Sequence, residues 1–464
     1  MLFNSIEYLI FFISFFLIYW FLLEKNLFGQ NLFLLISSYI FYGWWDWRFL
    51  SLIFITSITS YFAAIKISET NNKKVILLWV LLLNFGILFF FKYFGWFEDC
   101  LVELAFIFNQ TYHKQAVQIL LPVGVSFYTF QSMSYVIDVY TGQLKASRNF
   151  VECAGFISFF PQLVAGPIER ATNLLPQIQK QRIFNYNDAS DGLRYILWGV
   201  FKKMVIADNC APIVNDIFDH SLDYSSPMLW YGTFLFAIQI YCDFSGYSEI
   251  AIGCGKLLGI NFMTNFSFPY FSKNIKEFWQ RWHISLSTWF KDYLYMPLGG
   301  SRLGKFITIR NVMLVFVFSG LWHGANFTFI VWGLYHALLY ILYILVFEKS
   351  QLKIPPYISS IFTFICVCIG WVFFRAKDMS QAKLFIIKMF SIPEEFTLNL
   401  NYKVLFSLII LVIFEFWNSS NKFGLDIKPT ISSQTIRWSI YILLIFIWMI
   451  YANFNEQTFI YFNF

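Results

Sequence analysis

Apolar runs recur from one end of this chain to the other with no long polar block between them, and that pattern leaves few folds open. A backbone crosses hydrocarbon only as a helix or a closed barrel, because each N–H and C=O must be satisfied inside the protein. Runs near residues 6–23, 31–45, 49–66 and 75–91, and again near 358–374, 403–417 and 438–452, approach the roughly 20 residues that a helix needs to span a bilayer. Hydrophobic residues are 58% of the chain and charged ones 13%, which excludes an ordinary soluble domain. The expectation is an all-α polytopic membrane protein, residues 1–464 forming a single membrane domain.

The run from Ile6 to Leu23 resembles a secretory signal in length, but it lacks a basic leading segment and a small-residue cleavage site, so it reads as the first span. Lys66, Lys73 and Lys74 mark the connection between the third and fourth spans as cytoplasmic, which puts the N-terminus on the periplasmic side. Tyr42 to Arg48 is an aromatic belt suited to an interface. Between 270 and 310, Lys273, Lys276, Arg281, Lys291, Arg302, Lys305 and Arg310 face only Glu277 and Asp292, so that stretch also reads as cytoplasmic. Membrane orientation accounts for these charges more simply than nucleic-acid binding does.

Other segments are too broken or too polar for lipid. Leu121 to Gln131 holds Pro122 and Gly124, the pattern of backbone buried in protein or lining a cavity, and Phe159 to Ile168 holds two prolines and a glycine, which reads as a cavity-lining re-entrant hairpin or as simple helix breakage. Arg170 to Lys203 reads as mostly cytoplasmic from Lys180, Arg182, Lys202 and Lys203. In the span near 228–260, Asp243 and Glu249 must be hydrated, paired or protonated; a cavity and a buried ion pair are both open. Ile275 to Tyr293 places apolar and charged residues at helical spacing, which predicts one amphipathic helix, surface-lying or re-entrant, at the cytoplasmic face.

Five histidines are present, and one stands out. His323 lies inside an apolar run, where an ionisable group is retained mostly if it pairs, lines a cavity or reacts. Ser319, His323 and Asn326 fall at i, i+4 and i+7, one polar stripe on a helix. His336 turns away from that stripe and reads as structural, while His113 and His220 sit in polar connections without partners and are assigned no role. Burial disfavours imidazolium, so a histidine at this depth stays neutral and able to act as a general base. No phosphate loop, zinc pattern or nucleophile elbow is present. The seven cysteines are scattered, Cys366 and Cys368 have no second ligand pair nearby, and no metal is expected.

Arg281-Trp282-His283-Ile284-Ser285-Leu286-Ser287, Tyr295-Met296-Pro297-Leu298-Gly299-Gly300 and Leu321-Trp322-His323-Gly324-Ala325 together resemble the membrane-bound O-acyltransferase family, its bacterial polysaccharide branch above all. Pro161 to Pro167, Cys242 to Ser248, Trp371 to Arg375 and Phe459 to Phe462 extend the likeness over nearly the whole chain. The resemblance implies about eleven transmembrane helices in a ring, with re-entrant helices around a central tunnel. It divides the chain into N-terminal spans at 1–110, a catalytic core at 111–375 and C-terminal spans at 376–464. It makes His323 the catalytic histidine and His283 its upstream partner, a position held by His or Asn depending on the branch. Residues expected to line the tunnel or position substrate are Trp279, Trp282, Ser319, Trp322, Asn326, Gln131, Gln239, Tyr241, Asp243 and Ser245. Lys276, Arg281 and Lys291 are expected to attract the phosphates of a donor.

The implied activity is transfer of an acetyl group from a cytoplasmic thioester, acetyl-CoA, toward a periplasmic partner with a hydrolase-like (SGNH) serine site that acetylates a cell-envelope polysaccharide. Phe, Ile, Asn and Lys are used heavily, as in AT-rich genomes, which favours peptidoglycan over alginate or another exopolysaccharide as the polymer. A transporter or flippase is the rival class, since broken helices and buried polar residues suit it equally. It predicts symmetry between halves, and none is visible.

Overall fold

A computed structural model describes residues 1–464 except 113, 115–118, 165, 349, 351–353, 394–397, 455–458 and 464. His113 therefore lies outside the described residues. Every regular element among those described is helical, and six helical runs are long and apolar enough to cross a membrane. Two of these, Leu27–Glu69 and Lys73–Ile107, have 43 and 35 residues, more than one crossing requires. The first is divided at Trp47–Phe49, where the Asp46 carboxylate accepts the Arg48 N–H and forks onto the Arg48 guanidinium. Trp44, Trp45 and Trp47 around that break are exposed, as an interfacial belt requires.

The chain forms two compact units, Met1–Ala189 with Cys254–Met263, and Ser190–Gly253 with Thr264–Phe464. In the first, the segments with prolines and glycines are buried in protein. Gly124 takes a positive φ of 73°, and a Cβ there would lie 2.6 Å from the Leu163 carbonyl oxygen, so only glycine suits the approach. The helix Phe150–Ser158 stops before Phe160–Leu163, leaving the Phe156 carbonyl without its intrahelical donor. Gln131 and Gln162 both donate to it at 3.0 Å. Gln131 thus serves a helix break in the first unit. Arg182, expected at the cytoplasmic surface, is instead buried and donates to Gln30, Asn31 and the Ile178 carbonyl.

The second unit contains the helices Asp208–Asp219, Lys305–His323, Phe327–Leu342, Pro356–Arg375, Met379–Met389, Tyr402–Trp417 and Gln434–Tyr451, with most of the 32-residue Ser226–Leu257. Lys305–His323 and Phe327–Leu342 form a hairpin whose backbones touch. A Cβ on Gly320 would meet the Phe329 carbonyl oxygen at 2.2 Å, and one on Gly333 the Phe316 carbonyl oxygen at 2.3 Å. Small residues at such a crossing let two membrane helices pack closely without a hydrophobic drive between them. Gly320→Ala should cost about 1–3 kcal/mol by overpacking, seen as a lower midpoint in thermal unfolding of the purified protein. An unchanged midpoint would mean the helices are not in this contact.

Lys202 and Lys203, expected among cytoplasmic charges, are also buried. They lie in a π-helical turn, Phe201–Ala207, all seven residues of which are buried. Lys202 Nζ is 2.7 Å from Glu249, and Lys203 Nζ is 2.6 Å from Asp208 and 2.8 Å from Asp243. The two acids inside the long helix are thus ion-paired, the arrangement that keeps a desolvated charge from being prohibitive.

Candidate active site

The basic, tryptophan-rich stretch does not form one amphipathic helix. Ile275–Arg281 and Ile284–Phe290 are separate short helices, followed by the π turn Lys291–Tyr295, because the backbone reverses hand at His283. His283 has φ 44° and ψ 53°, a conformation that costs a non-glycine residue about 1–3 kcal/mol. Neighbouring backbone bonds impose it: Ile284 N–H donates to the Asn265 carbonyl at 2.9 Å and Ser267 N–H to the Arg281 carbonyl at 3.0 Å. The break turns the His283 ring into the protein, where it is buried.

The tautomer of His283 follows from its partner. Asn265 Oδ1 accepts from the Ser285 N–H at 3.4 Å and from Ser285 Oγ at 2.9 Å, while Asn265 Nδ2 donates to Ser248 Oγ at 3.1 Å. A backbone N–H can only donate, so the atom facing it is the amide oxygen. His283 Nδ1, 3.1 Å from the same oxygen, must then carry the proton. Nε2 is left as the lone-pair nitrogen, and burial pushes the imidazolium pKa down to about 3, so the ring is neutral.

His323 is the last residue of its helix, and Gly324 continues in extended conformation. The His283 and His323 rings are 6.3 Å apart between centroids. Around His323 stand Trp322 at 5.0 Å, Trp332 at 5.1 Å, Phe374 at 5.3 Å and Tyr461 at 5.7 Å. Trp322 also faces His283 at 5.8 Å, and Trp282 packs on Phe278 and Trp371. The polar stripe is shorter than its spacing predicts. Asn326 has left that helix and caps the next, accepting from Thr328 N–H and donating to the Lys377 carbonyl.

A groove of about 400 Å³ reaches these elements. Lys276, Gln280 and Lys291 line it with Trp279, Tyr340, Ile284 and Ser319. Ile284 adjoins His283, and Ser319 is one helical turn before His323, so the groove touches the two elements that carry the histidines. Lys276 is 2.5 Å from Glu348, whereas Arg281 pairs with Glu277 at 2.6 Å and is not among the lining residues. Among the described residues no cluster of three or more His, Cys, Asp or Glu is arranged to hold a metal ion.

The remaining expected site residues divide by partner. The Tyr241 hydroxyl donates to Glu415 at 2.6 Å, beneath Lys202, whose ammonium is 5.2 Å from the Tyr241 ring. Asp243 belongs to the Lys203 cluster. Ser245 is buried on the same long helix, and Gln239 is half-buried. His336 is buried against Trp279 and Trp332, each 5.1 Å away. Asn265 and Tyr461 were not singled out from the sequence. An asparagine 18 residues before its partner carries no spacing signal, and Tyr461 entered only within a terminal motif. Glu415 was also not singled out, although a carboxylate inside an apolar run is the signal that could have found it.

Residues 144–377 match the profile of MBOAT, the membrane-bound O-acyltransferase family. The chain is 40% identical over 402 residues to a probable alginate O-acetylase of Pseudomonas putida, covering 85% of this chain and 81% of the relative. It is 36% identical over 390 residues to a peptidoglycan O-acetyltransferase of Helicobacter pylori, covering 77% and 73%. A teichoic acid D-alanyltransferase of Bacillus subtilis is 31% identical over 277 residues, covering 55% and 69%.

Proposed function

The chain belongs to the membrane-bound O-acyltransferase family, and from that premise we propose that it takes an acetyl group from cytoplasmic acetyl-CoA and passes it outward for O-acetylation of a cell-envelope polysaccharide. The observation that carries this reading is the pair of buried histidine rings, 6.3 Å apart, on the two elements whose neighbouring residues Ile284 and Ser319 line a groove shared with Lys276 and Lys291. The lysines supply the charge that phosphates of a donor require.

In the proposed reaction His323 takes the proton of the acceptor hydroxyl. The hydroxyl oxygen attacks the thioester carbonyl, the C–S bond breaks, and the CoA thiolate leaves with the proton held by the imidazolium. His283, its Nδ1–H committed to Asn265, can only accept at Nε2 and serves the protonated ring of His323 as an acceptor, much as a carboxylate does in a catalytic triad. The Tyr461 phenol, whose ring lies against His323, is a hydroxyl of the chain itself that this base can activate. The outward acceptor is proposed to be a periplasmic partner with a hydrolase-like serine site.

Peptidoglycan is the proposed polymer, from the composition expected of an AT-rich genome. An alginate-type exopolysaccharide is the second reading, supported by the 40% identity to an alginate O-acetylase. Purified protein given radiolabelled acetyl-CoA should release CoA when an extracytoplasmic acceptor is supplied; no release with any acceptor would overturn the proposal. Deleting the gene should remove base-labile acetyl esters from peptidoglycan, and their loss from secreted polysaccharide alone would select the second reading.

A further inference from the structure

Tyr461 lies beside His323, and what holds its segment there is a buried ionic cluster outside the reacting groups. Ile460 N–H donates to Asp243 Oδ2 at 2.7 Å. The other oxygen of Asp243 is 2.8 Å from Lys203 Nζ, which is also 2.6 Å from Asp208. The same region grips the chain a second time upstream. Asn453 N–H donates to the Met204 carbonyl at 3.0 Å, Asn453 Nδ2 to the Asp208 carbonyl at 3.1 Å, and Asn209 Nδ2 to the Tyr451 carbonyl at 2.9 Å. On either side of Ile460, the Tyr461 ring is 4.4 Å from Phe244 and 5.7 Å from His323, and the Phe459 ring is tilted against Tyr247 at 4.6 Å.

One carboxylate suffices to neutralise a buried lysine, yet Lys203 has two, and the second directs its far oxygen to the backbone N–H of Ile460. A charge-assisted bond of this kind is stronger than a neutral one, and it acts on the residue immediately before Tyr461. π-Helical turns such as the one that carries Lys203 are frequent at functional sites. We propose that the Lys203–Asp243 pair is a latch that seats the C-terminal segment, so that Tyr461 lies against His323, and that transfer proceeds only with the segment seated. This rests on the reading of His323 as the transfer centre, and it makes Asp243 and Lys203 positioning residues.

Carboxypeptidase digestion of the purified full chain, followed by intact-mass spectrometry, reads the latch directly. Wild type should keep Tyr461, while Asp243→Ala and Ile460→Pro should lose it at least about tenfold faster, and kcat should fall about tenfold or more with the KM for acetyl-CoA changed less than about twofold. Ile460→Pro removes one N–H and leaves every buried charge in place, so it decides the matter if Asp243→Ala does not fold. Variants as resistant as wild type, or trimmed past Tyr461 with kcat intact, would overturn the latch. Absence of transfer in the wild type itself would overturn the acetyltransferase reading instead, with the digestion still deciding whether the segment is seated by Asp243.

Discussion

Replacing His323 by alanine should lower the turnover number for acetyl transfer by about 10³-fold or more, equivalent to about 4 kcal/mol of barrier, with the protein still present in the membrane at normal level. The size of the effect follows from where the residue sits. Its ring is enclosed by Trp322, Trp332, Phe374 and Tyr461, so water does not readily replace it as a base. Position at the helix end limits the structural damage. The turn is closed by the Gly324 N–H on the Gly320 carbonyl at 3.3 Å, a bond that needs no side chain at 323. Truncation does leave a void among the rings, and melting of the variant should be compared with that of Gly320→Ala, which perturbs packing without touching the imidazole. If His323→Ala melts like wild type and still transfers acetyl groups at wild-type rate, His323 is not the base.

The fold and the position of His323 were legible because the bilayer permits few alternatives. An uninterrupted series of apolar runs specifies helices, and an imidazole inside one of them is costly enough to need a reason. The interruptions at Pro122, Gly124 and Phe159 were legible for the same cause. Partners were harder to see. Lys202 and Lys203 read as a cytoplasmic pair because charge near a span usually marks orientation, and nothing local announces that Glu249, Asp208 and Asp243 will fold back onto them. The break at His283 was also hidden. Its cause is a pair of hydrogen bonds from a loop around Asn265 and Ser267, while the periodicity of Ile275 to Tyr293 by itself favours a continuous helix. Asn326 misled for a related reason, since helical spacing was carried past Gly324, where the helix ends.

His283 carries the sharper second expectation, because its chemistry can be separated from its shape. If Nε2 acts as an acceptor toward His323, the position requires a lone pair in that place and not an imidazole as such. His283→Ala should then lower kcat by about 10²-fold, while His283→Asn, whose amide oxygen also accepts, should stay within about tenfold of wild type. Asn is also among the residues that tolerate left-handed backbone best, so the φ of 44° poses it little difficulty. The pH dependence gives an independent check. With its pKa lowered by burial to about 3, His283 remains unprotonated as the pH falls through the ordinary imidazole range near 6.5, so an acid limb there must come from another group. His283→Asn should therefore leave the position of any acid limb unchanged. A limb that shifts in that variant, or an asparagine variant as inactive as alanine, would make His283 a proton-transferring group in its own right and remove the division of labour between the two rings.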